Sequence, residues 1–336
     1  MSHRFECGLV VGKFAPLHRG HQHLIDTALS QCRHVVLLSY SNPEFPGCDP
    51  ERREHWLKAL YPQTTRVVVS DGLIPPNDDT DDVHRAFTAK VLRRTPGREV
   101  DAVFTSESYG DGFAAYLDSY FRSHNPSAKP VRHVLVDPAR AAVPTSGTSI
   151  RNDVHAAREW LHPAVYASFV DRVVCLGGES SGKSTLAAAL ASEFRSLHAP
   201  EFGREWWVER GGNLQFDDLL FIAQRQVERE QRLAGTANRY LFCDTSPLTT
   251  LFYCLDQFGE AAAELQALAE RRYAFTILCA PDFDFVQDGT RREPEFRLQQ
   301  HEWYVRQLQQ RRIRYLEVHG SVEARVDQVA AELRRL

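Results

Sequence analysis

The chain has 336 residues, 43% hydrophobic and 25% charged, which suits two ordinary domains of roughly 100–200 residues each. No apolar run approaches the ~18 residues of a membrane span and no signal-peptide segment opens the chain, so a cytoplasmic protein without membrane insertion is expected. A formal charge of −4 argues against a general nucleic-acid binder, and the seven scattered cysteines, with no C-x-x-C pair, read as reduced thiols. From residue 6 onward, short aliphatic runs alternate with amphipathic segments. Strands are expected at 6–11, 34–40, 66–70, 101–105 and 131–136, with helices at 20–31, 50–60, 80–94 and 111–121 between them. Continuous strands separated by helices imply a parallel α/β sheet covered on both faces, with ligands at the carboxyl ends of its strands.

Directly after the first strand comes Gly12-Lys13-Phe14-Ala15-Pro16-Leu17-His18-Arg19-Gly20-His21. His18 and His21 are three apart and share one face of a first helical turn. Gly20 has no Cβ, so a ligand or backbone can approach closely. Two imidazole donors beside a helix N-terminus suit an anion, in particular the phosphates of a nucleotide. The competing readings are a zinc site, which needs a third ligand and has only His23 nearby, and a purely structural pair. The stretch 71–82 is either a solvated acidic loop or an acidic metal site.

Residues 152–171 read as two short helices interrupted at Pro163, a packed connector that puts a domain boundary near residue 170, between units 1–170 and 171–336. The second unit opens on an aliphatic strand, Val173 to Leu176, running into Gly177-Gly178-Glu179-Ser180-Ser181-Gly182-Lys183-Ser184-Thr185 and a helical pattern. Strand, glycine loop and helix form the context in which this spacing signals a P-loop rather than an ordinary Gly/Ser turn. The glycines let backbone N–H groups turn inward around phosphate oxygens, Lys183 adds a point charge, and the Ser184 hydroxyl is a Mg²⁺ ligand candidate. With five lysines against 35 arginines, a lysine at this position by composition alone is improbable.

Further along, His198 to Glu205 ends a second short strand. Glu201 is a candidate base and Arg204 a candidate substrate or phosphate clamp, with a surface ion pair as the alternative. The Trp206-Trp207 pair either stacks on a flat base or packs a core. The helix at 216–235 carries many charges, most simply a solvated face. The strand at Tyr240–Asp244 ends in an acid. Asp244 is the candidate Mg²⁺ carboxylate and the runner-up base, and Thr245 follows it at the substrate site. After a strand at 274–279, residues 288–297 read as a lid whose Arg291 and Arg297 neutralise the transferring phosphate, or as a plain Arg-rich loop. A strand at 314–318 and a helix at 321–335 close the chain.

The first motif resembles the G-x-F-x-P-x-H-x-G-H signature of the nucleotidyltransferase superfamily. Thr145-Ser146-Gly147-Thr148-Ser149-Ile150-Arg151 resembles its second signature, I-S-x-T-x-x-R, with Thr145 in place of the Ile. Phe104 to Gly110, Val136 to Arg140, the helix containing Trp160 and the P-loop half extend the likeness over nearly the whole chain, to the bifunctional NadR-type proteins. That resemblance implies a Rossmann-like nucleotidyltransferase domain followed by a P-loop kinase domain, both doubly wound. The implied activities are nicotinamide-mononucleotide (NMN) adenylyltransferase and ribosylnicotinamide kinase, with ATP as co-substrate at both sites. The implied small-molecule partners are ATP, NMN, nicotinamide riboside and NAD. The likeness also implies that Ser146, Thr148 and Arg151 bind phosphate, and that Ser106, Glu107, Tyr109 and Asp137 contact the nucleotide. Some family members carry an N-terminal helix-turn-helix. This chain begins with the first strand, so a DNA-binding role is not expected. Homo-oligomerisation is left open by the sequence. The alternatives are an NAD/ATP-sensing regulator with weak turnover and a transferase–kinase fusion for another cofactor precursor.

Overall fold

The computed structural model describes residues 3–335 except 71, 73, 96–98 and 285–293. The chain divides into two compact units, Met1–Ser168 and Phe169–Leu336.

In the first unit the order is β1 (Phe5–Val11), α1 (Arg19–Gln31), β2 (Cys32–Ser39), α2 (Pro50–Leu60), β3 (Thr65–Val68), α3 (Asp81–Arg94), β4 (Ala102–Thr105), α4 (Gly110–His124) and β5 (Arg132–Leu135). The short helices α5 (Gly147–Asn152) and α6 (Pro163–Tyr166) follow, with a 3₁₀ turn at Arg158–Trp160 between them. Pro163 begins α6 instead of interrupting a helix; a first-turn proline has no N–H to leave unpaired and its φ is already helical. The strands form one parallel sheet, β3-β2-β1-β4-β5. Leu9, Val36, Leu38 and Val103 meet Phe113 and Leu117 of α4 on one face. The order reverses at β1, and the β1–α1 loop opens at that switch point, where such sheets bind ligands.

The second unit runs β6 (Asp171–Leu176), α7 (Lys183–Glu193), β7 (Leu197–Ala199), α8 (Phe202–Glu209), α9 (Phe216–Ala234), β8 (Tyr240–Asp244), α10 (Pro247–Phe258), α11 (Ala263–Ala269), β9 (Phe275–Cys279), α12 (Pro294–Gln310), β10 (Leu316–Val318) and α13 (Val322–Leu333). Its sheet is parallel too, in the order β10-β9-β6-β8-β7, so the P-loop follows the central strand. Leu186 and Leu190 of α7 pack on Val173, Phe242, Ile277 and Val329. Two parallel five-stranded sheets with flanking helices make the chain α/β and doubly wound. All seven cysteines are buried thiols, and among the described residues no helix is long and apolar enough to cross a membrane.

One expectation fails on α9. Its charges are not all on a solvated face: Asp218 and Glu230 are buried. Asp218 accepts hydrogen bonds from Trp206, Arg210 and the Gln215 N–H, and Glu230 meets Arg271 at 3.3 Å and the Tyr273 hydroxyl at 3.0 Å. Each buried carboxylate is thus held by several donors, the condition under which burial of a charge is tolerated.

Candidate active sites

In the first unit the β1–α1 loop is built around its two histidines. Nδ1 of His18 accepts the Gly20 N–H at 3.1 Å, and Nδ1 of His21 accepts the His18 N–H at 3.4 Å. The pair is a capping box made from imidazoles, satisfying backbone donors that the first turn of α1 would otherwise leave open. With Nδ1 used as an acceptor, the single proton of each neutral ring belongs on Nε2. The rings stack with centroids 3.7 Å apart. Burial, followed by the charges of Arg140 and Arg151, pushes His18 down to about 4. Burial and the neighbouring His18 hold His21 well below 6.5. At neutral pH both rings are therefore uncharged donors. Phe14, which its position in the motif would place at the nucleotide, is fully buried instead. Its ring stands edge-on to His21 at 5.1 Å and supports the loop from beneath.

Beside this loop lies a cavity of about 590 Å³. Gly12, Lys13, Ala15, His18, Gly20 and His21 form one wall; Ser106, Glu107 and Tyr109 after β4, Asp137 after β5, and Ser146, Thr148 and Arg151 from α5 complete it. Ser146 caps α5 by accepting the Ser149 N–H at 3.1 Å. Arg151 donates to the Ala15 carbonyl at 2.6 Å and to the Thr148 hydroxyl at 3.1 Å, and its guanidinium lies 4.0 Å over the Phe45 ring. The two sequence motifs, far apart in the chain, are thereby joined directly. Burial, then Arg151, lowers the pKa of Lys13, as expected for two cations sharing one cavity.

Asp137 lines the cavity, but its carboxylate accepts the N–H groups of Ala141 and Ala142 at 2.8 and 3.0 Å and so shapes the following turn. Arg140, not singled out from sequence, also lines the cavity, 3.6 Å from Glu107. Its sequence signals were its place after a strand and at the end of the stretch Val136 to Arg140 that carries part of the resemblance. The acidic stretch contributes Asn77, Asp79 and Asp81 to the same cavity, and Asp81 and Asp82 each pair with Arg85 at 2.9 Å. His23 lines it as well, yet among the described residues no group of three or more His, Cys, Asp and Glu side chains is placed to hold a metal ion.

In the second unit the glycine loop has the conformation its sequence requires. Gly177 has φ 144°, and a Cβ there would lie 2.7 Å from Ser181 Oγ and 2.8 Å from the Cys279 carbonyl. Gly182, at φ 82°, is the N-cap of α7. Ser181 Oγ and Lys183 Nζ both donate to the Gly178 carbonyl, at 2.7 and 2.8 Å, so the lysine folds over its own loop. Glu179 is tied from two sides: its N–H donates to Gln300 of α12 and its carboxylate accepts the Tyr253 hydroxyl of α10, each at 2.8 Å.

A cavity of about 290 Å³ adjoins this loop, lined by Glu179, Ser180, Ser181, Gly182, Lys183, Ser184 and Thr185, and across from them by Glu201, Arg204, Trp207, Thr245 and Tyr253. Burial first, then the Asp244 carboxylate, raises Glu201 to about 7. Asp244 is itself buried and is not among the lining residues, and its Oδ1 has no hydrogen-bond partner among the described residues. The two acids that competed for one role from sequence thus differ in place: Glu201 faces the cavity and Asp244 sits behind it. Thr245, with φ 71°, is a β-branched residue in the left-handed region, a conformation that concentrates at functional sites. The tryptophan pair divides its labour. Trp206 packs on Phe221 at 4.6 Å and donates to Asp218 at 2.8 Å, whereas Trp207 lines the cavity.

Arg297, expected to face the transferring phosphate, is buried with Nη1 donating to the Phe283 carbonyl at 2.8 Å, because the first turn of α12 packs over Gly178. Arg291 lies outside the described residues.

A family model described as an AAA domain matches residues 172–325. The chain is 30% identical over 304 residues to the trifunctional NAD biosynthesis/regulator protein NadR of Salmonella typhimurium, covering 84% of this chain and 71% of that one. Identity to the corresponding Escherichia coli protein is 31% with the same coverage. Among solved structures, a crystal structure of NadR protein in complex with NAD and AMP-PNP has a TM-score of 0.67 at 19% identity, covering 98% of this chain and 96% of that chain. A NadR complex with NR gives 0.67 at 20% identity with the same coverage. At such identities these two establish the fold; the sequence matches to the curated relatives carry the kinship, and by them this chain belongs to the NadR family of NAD biosynthesis proteins.

Proposed function

We propose that the second unit transfers the γ-phosphoryl group of ATP to the 5′-hydroxyl of nicotinamide riboside. We propose further that the first unit transfers the adenylyl group of a second ATP to the resulting NMN, releasing pyrophosphate and NAD. The observation that carries this reading is that each unit has its own cavity lined by phosphate-directed donors, one on paired imidazoles and one on a glycine loop. The relatives support it, since one NadR structure contains NAD and AMP-PNP and another contains NR.

In the first unit no protein nucleophile is needed. An NMN phosphate oxygen attacks the α-phosphorus of ATP, the bond to the β-phosphate oxygen breaks, and alignment with charge stabilisation supplies the catalysis. Lys13, Arg140 and Arg151 supply positive charge, and the Nε2–H of His18, held against the His21 ring, is a donor that needs no counter-ion. In the second unit the riboside hydroxyl attacks the γ-phosphorus, its proton passes to Glu201, and ADP leaves. A carboxylate near pH 7 in basicity is matched to that task. The donors present fit Mg²⁺, since Ser184 offers a hydroxyl and Asp244 a carboxylate whose buried Oδ1 lacks a partner among the described residues. When bound, Mg²⁺ would neutralise β- and γ-phosphate charge. Trp207 and Tyr253 give the cavity flat aromatic walls suited to a nicotinamide ring.

The test is to assay NAD formation from NMN and, separately, NMN formation from the riboside, each with ATP and Mg²⁺. Lys183→Ala should remove only the second activity and His18→Ala only the first. Wild-type protein that binds nucleotides and forms neither product would overturn the proposal.

A further inference from the structure

One residue beneath the glycine loop is not accounted for by phosphate binding or by ordinary core packing. Arg325, on α13, is 0% exposed. Its Nη1 donates to the Ser181 carbonyl at 2.7 Å, Nη2 to the Ala280 carbonyl at 2.9 Å and to the Asp282 carboxylate, and Nε to the Gly320 carbonyl at 3.0 Å. The Phe283 ring lies 4.2 Å from the guanidinium, and the same ring would be 2.9 Å from a Cβ on Gly182. One side chain therefore ties the P-loop to the end of β9 and to the β10–α13 turn.

A buried ion pair is a poor way to gain stability, because apolar residues of similar volume often serve as well or better. What a guanidinium provides instead is a rigid planar fork of donors, which fixes the direction of the groups it binds. Direction matters here. A trans peptide is planar, so its C=O and N–H point opposite ways. Holding the Ser181 carbonyl on the inner side of the loop turns the N–H of the same peptide, that of Gly182, to the other side. Gly182 lines the phosphate cavity. We infer that Arg325 is a positioning residue of the nucleotide site, aiming the Gly182 N–H at the nucleotide phosphates without touching them. This rests on a nucleotide occupying the glycine loop, as proposed above.

The experiment compares full-length wild type with Arg325→Lys, which keeps a cation opposite Asp282 but cannot reach three carbonyls at once. Calorimetry measures ADP and AMP binding, and Lys183→Ala defines the share of ADP binding that belongs to the loop. The expected result is ADP binding at least tenfold weaker with AMP changed less than twofold, in a protein that still melts cooperatively above the assay temperature. A general loss of stability would not discriminate between ligands by their second phosphate. Unchanged ADP affinity in folded Arg325→Lys, or equal losses for ADP and AMP, overturns the inference. If wild type shows no ADP binding that Lys183→Ala removes, the underlying nucleotide site fails and the role of Arg325 fails with it. Should Arg325→Lys not fold, Asp282→Asn loosens the guanidinium isosterically. It should give the same ADP-selective loss at smaller size, and the absence of that loss overturns the inference equally.

Discussion

His18 and His21 stack with ring centroids 3.7 Å apart, and each uses Nδ1 to accept a backbone N–H at the start of α1. One motif thus performs two tasks, capping the helix and leaving Nε2 of His18 as a donor, while the His21 ring also hydrogen-bonds the Pro16 backbone. Burial first, then Arg140 and Arg151, keeps the His18 ring neutral, and protonating Nδ1 would in addition replace an accepted hydrogen bond with a repelled N–H.

A pH dependence of stability follows. The folded-state pKa of His18, about 4, lies below its ordinary 6.5, so the unfolded chain binds the proton more readily between those values. The contribution is complete above pH 6.5, declines as pH falls through that window, and changes no further below about 4. Its full size is about 3 kcal/mol at ~1.4 kcal/mol per pH unit. His18→Asn keeps an N-cap acceptor and removes the titration. Protection of α1, the exchange rate taken relative to the unstructured rate at the same pH, should therefore rise less steeply between pH 5 and pH 7 in the variant than in wild type. Identical pH dependence in the two proteins would refute this account of the pair.

The kinase-type cavity gives a second pH prediction. Glu201, raised to about 7 mainly by burial, must be deprotonated to accept the hydroxyl proton, so kcat/KM for riboside phosphorylation should rise with pH through about 7. Glu201→Gln should abolish that ascending limb and lower kcat by about 10²–10⁴. Asp244→Asn should instead raise the Mg²⁺ concentration needed for half-maximal rate while keeping the limb. If the limb disappears with Asp244→Asn and survives Glu201→Gln, the two roles are reversed.

The neighbouring tryptophans separate in the same way. Trp207→Ala should raise KM for the riboside by removing an aromatic wall, with little change in melting temperature. Trp206→Phe deletes the donor to buried Asp218 and should cost about 1–3 kcal/mol of stability, leaving KM nearly unchanged. Melting curves and initial rates on both variants decide this.

Both α/β units, and the loops after β1 and β6 that line their cavities, were legible in the sequence because their signals are local: aliphatic runs, and glycines and histidines at fixed spacing. The helices α10, α11 and α12 were not. Helix α10 is buried throughout from Pro247 to Phe252, Thr249 and Thr250 included, so the polar residues of its first turns do not mark a solvent face. Helix α12 has the opposite difficulty. Its inward positions 297, 300, 304 and 308 follow helical spacing, but the first two are Arg297 and Gln300, polar residues buried because they bind the Phe283 carbonyl and the Glu179 N–H. Hydrophobic periodicity cannot find a face that is buried through hydrogen bonds. The same reason hides Arg325, and hides Glu230 on α9. Phe14 was misplaced because a motif position gives sequence proximity to a ligand, not the side of the loop a ring occupies.

The first unit has its own buried arginine, and it yields the last prediction. Arg53 of α2 is 0% exposed, pairs with Glu44 at 2.6 Å and donates to the Lys13 carbonyl at 3.2 Å, next to the left-handed Phe14. Ser39 Oγ donates to the same carbonyl at 3.2 Å, so the loop that carries Lys13 is held from two directions. Removing Glu44 alone strands a buried cation, and removing Arg53 alone leaves a carboxylate that water can still reach, since a third of the Glu44 side chain is exposed. Breaking such a pair so that the buried charge is left unpaired commonly costs about 3–5 kcal/mol, and an apolar replacement of both partners costs less. Arg53→Met should accordingly speed hydrogen exchange in β1 and α2 and slow adenylyl transfer, because Lys13 loses its fixed backbone. Glu44→Gln, which strands the buried guanidinium, should cost more of that protection but less of the rate. The Arg53→Met/Glu44→Gln double variant should recover part of the lost protection but not the lost rate, since the hydrogen bond to the Lys13 carbonyl is absent in both. Recovery of the rate together with the protection would show that Arg53 serves only the fold.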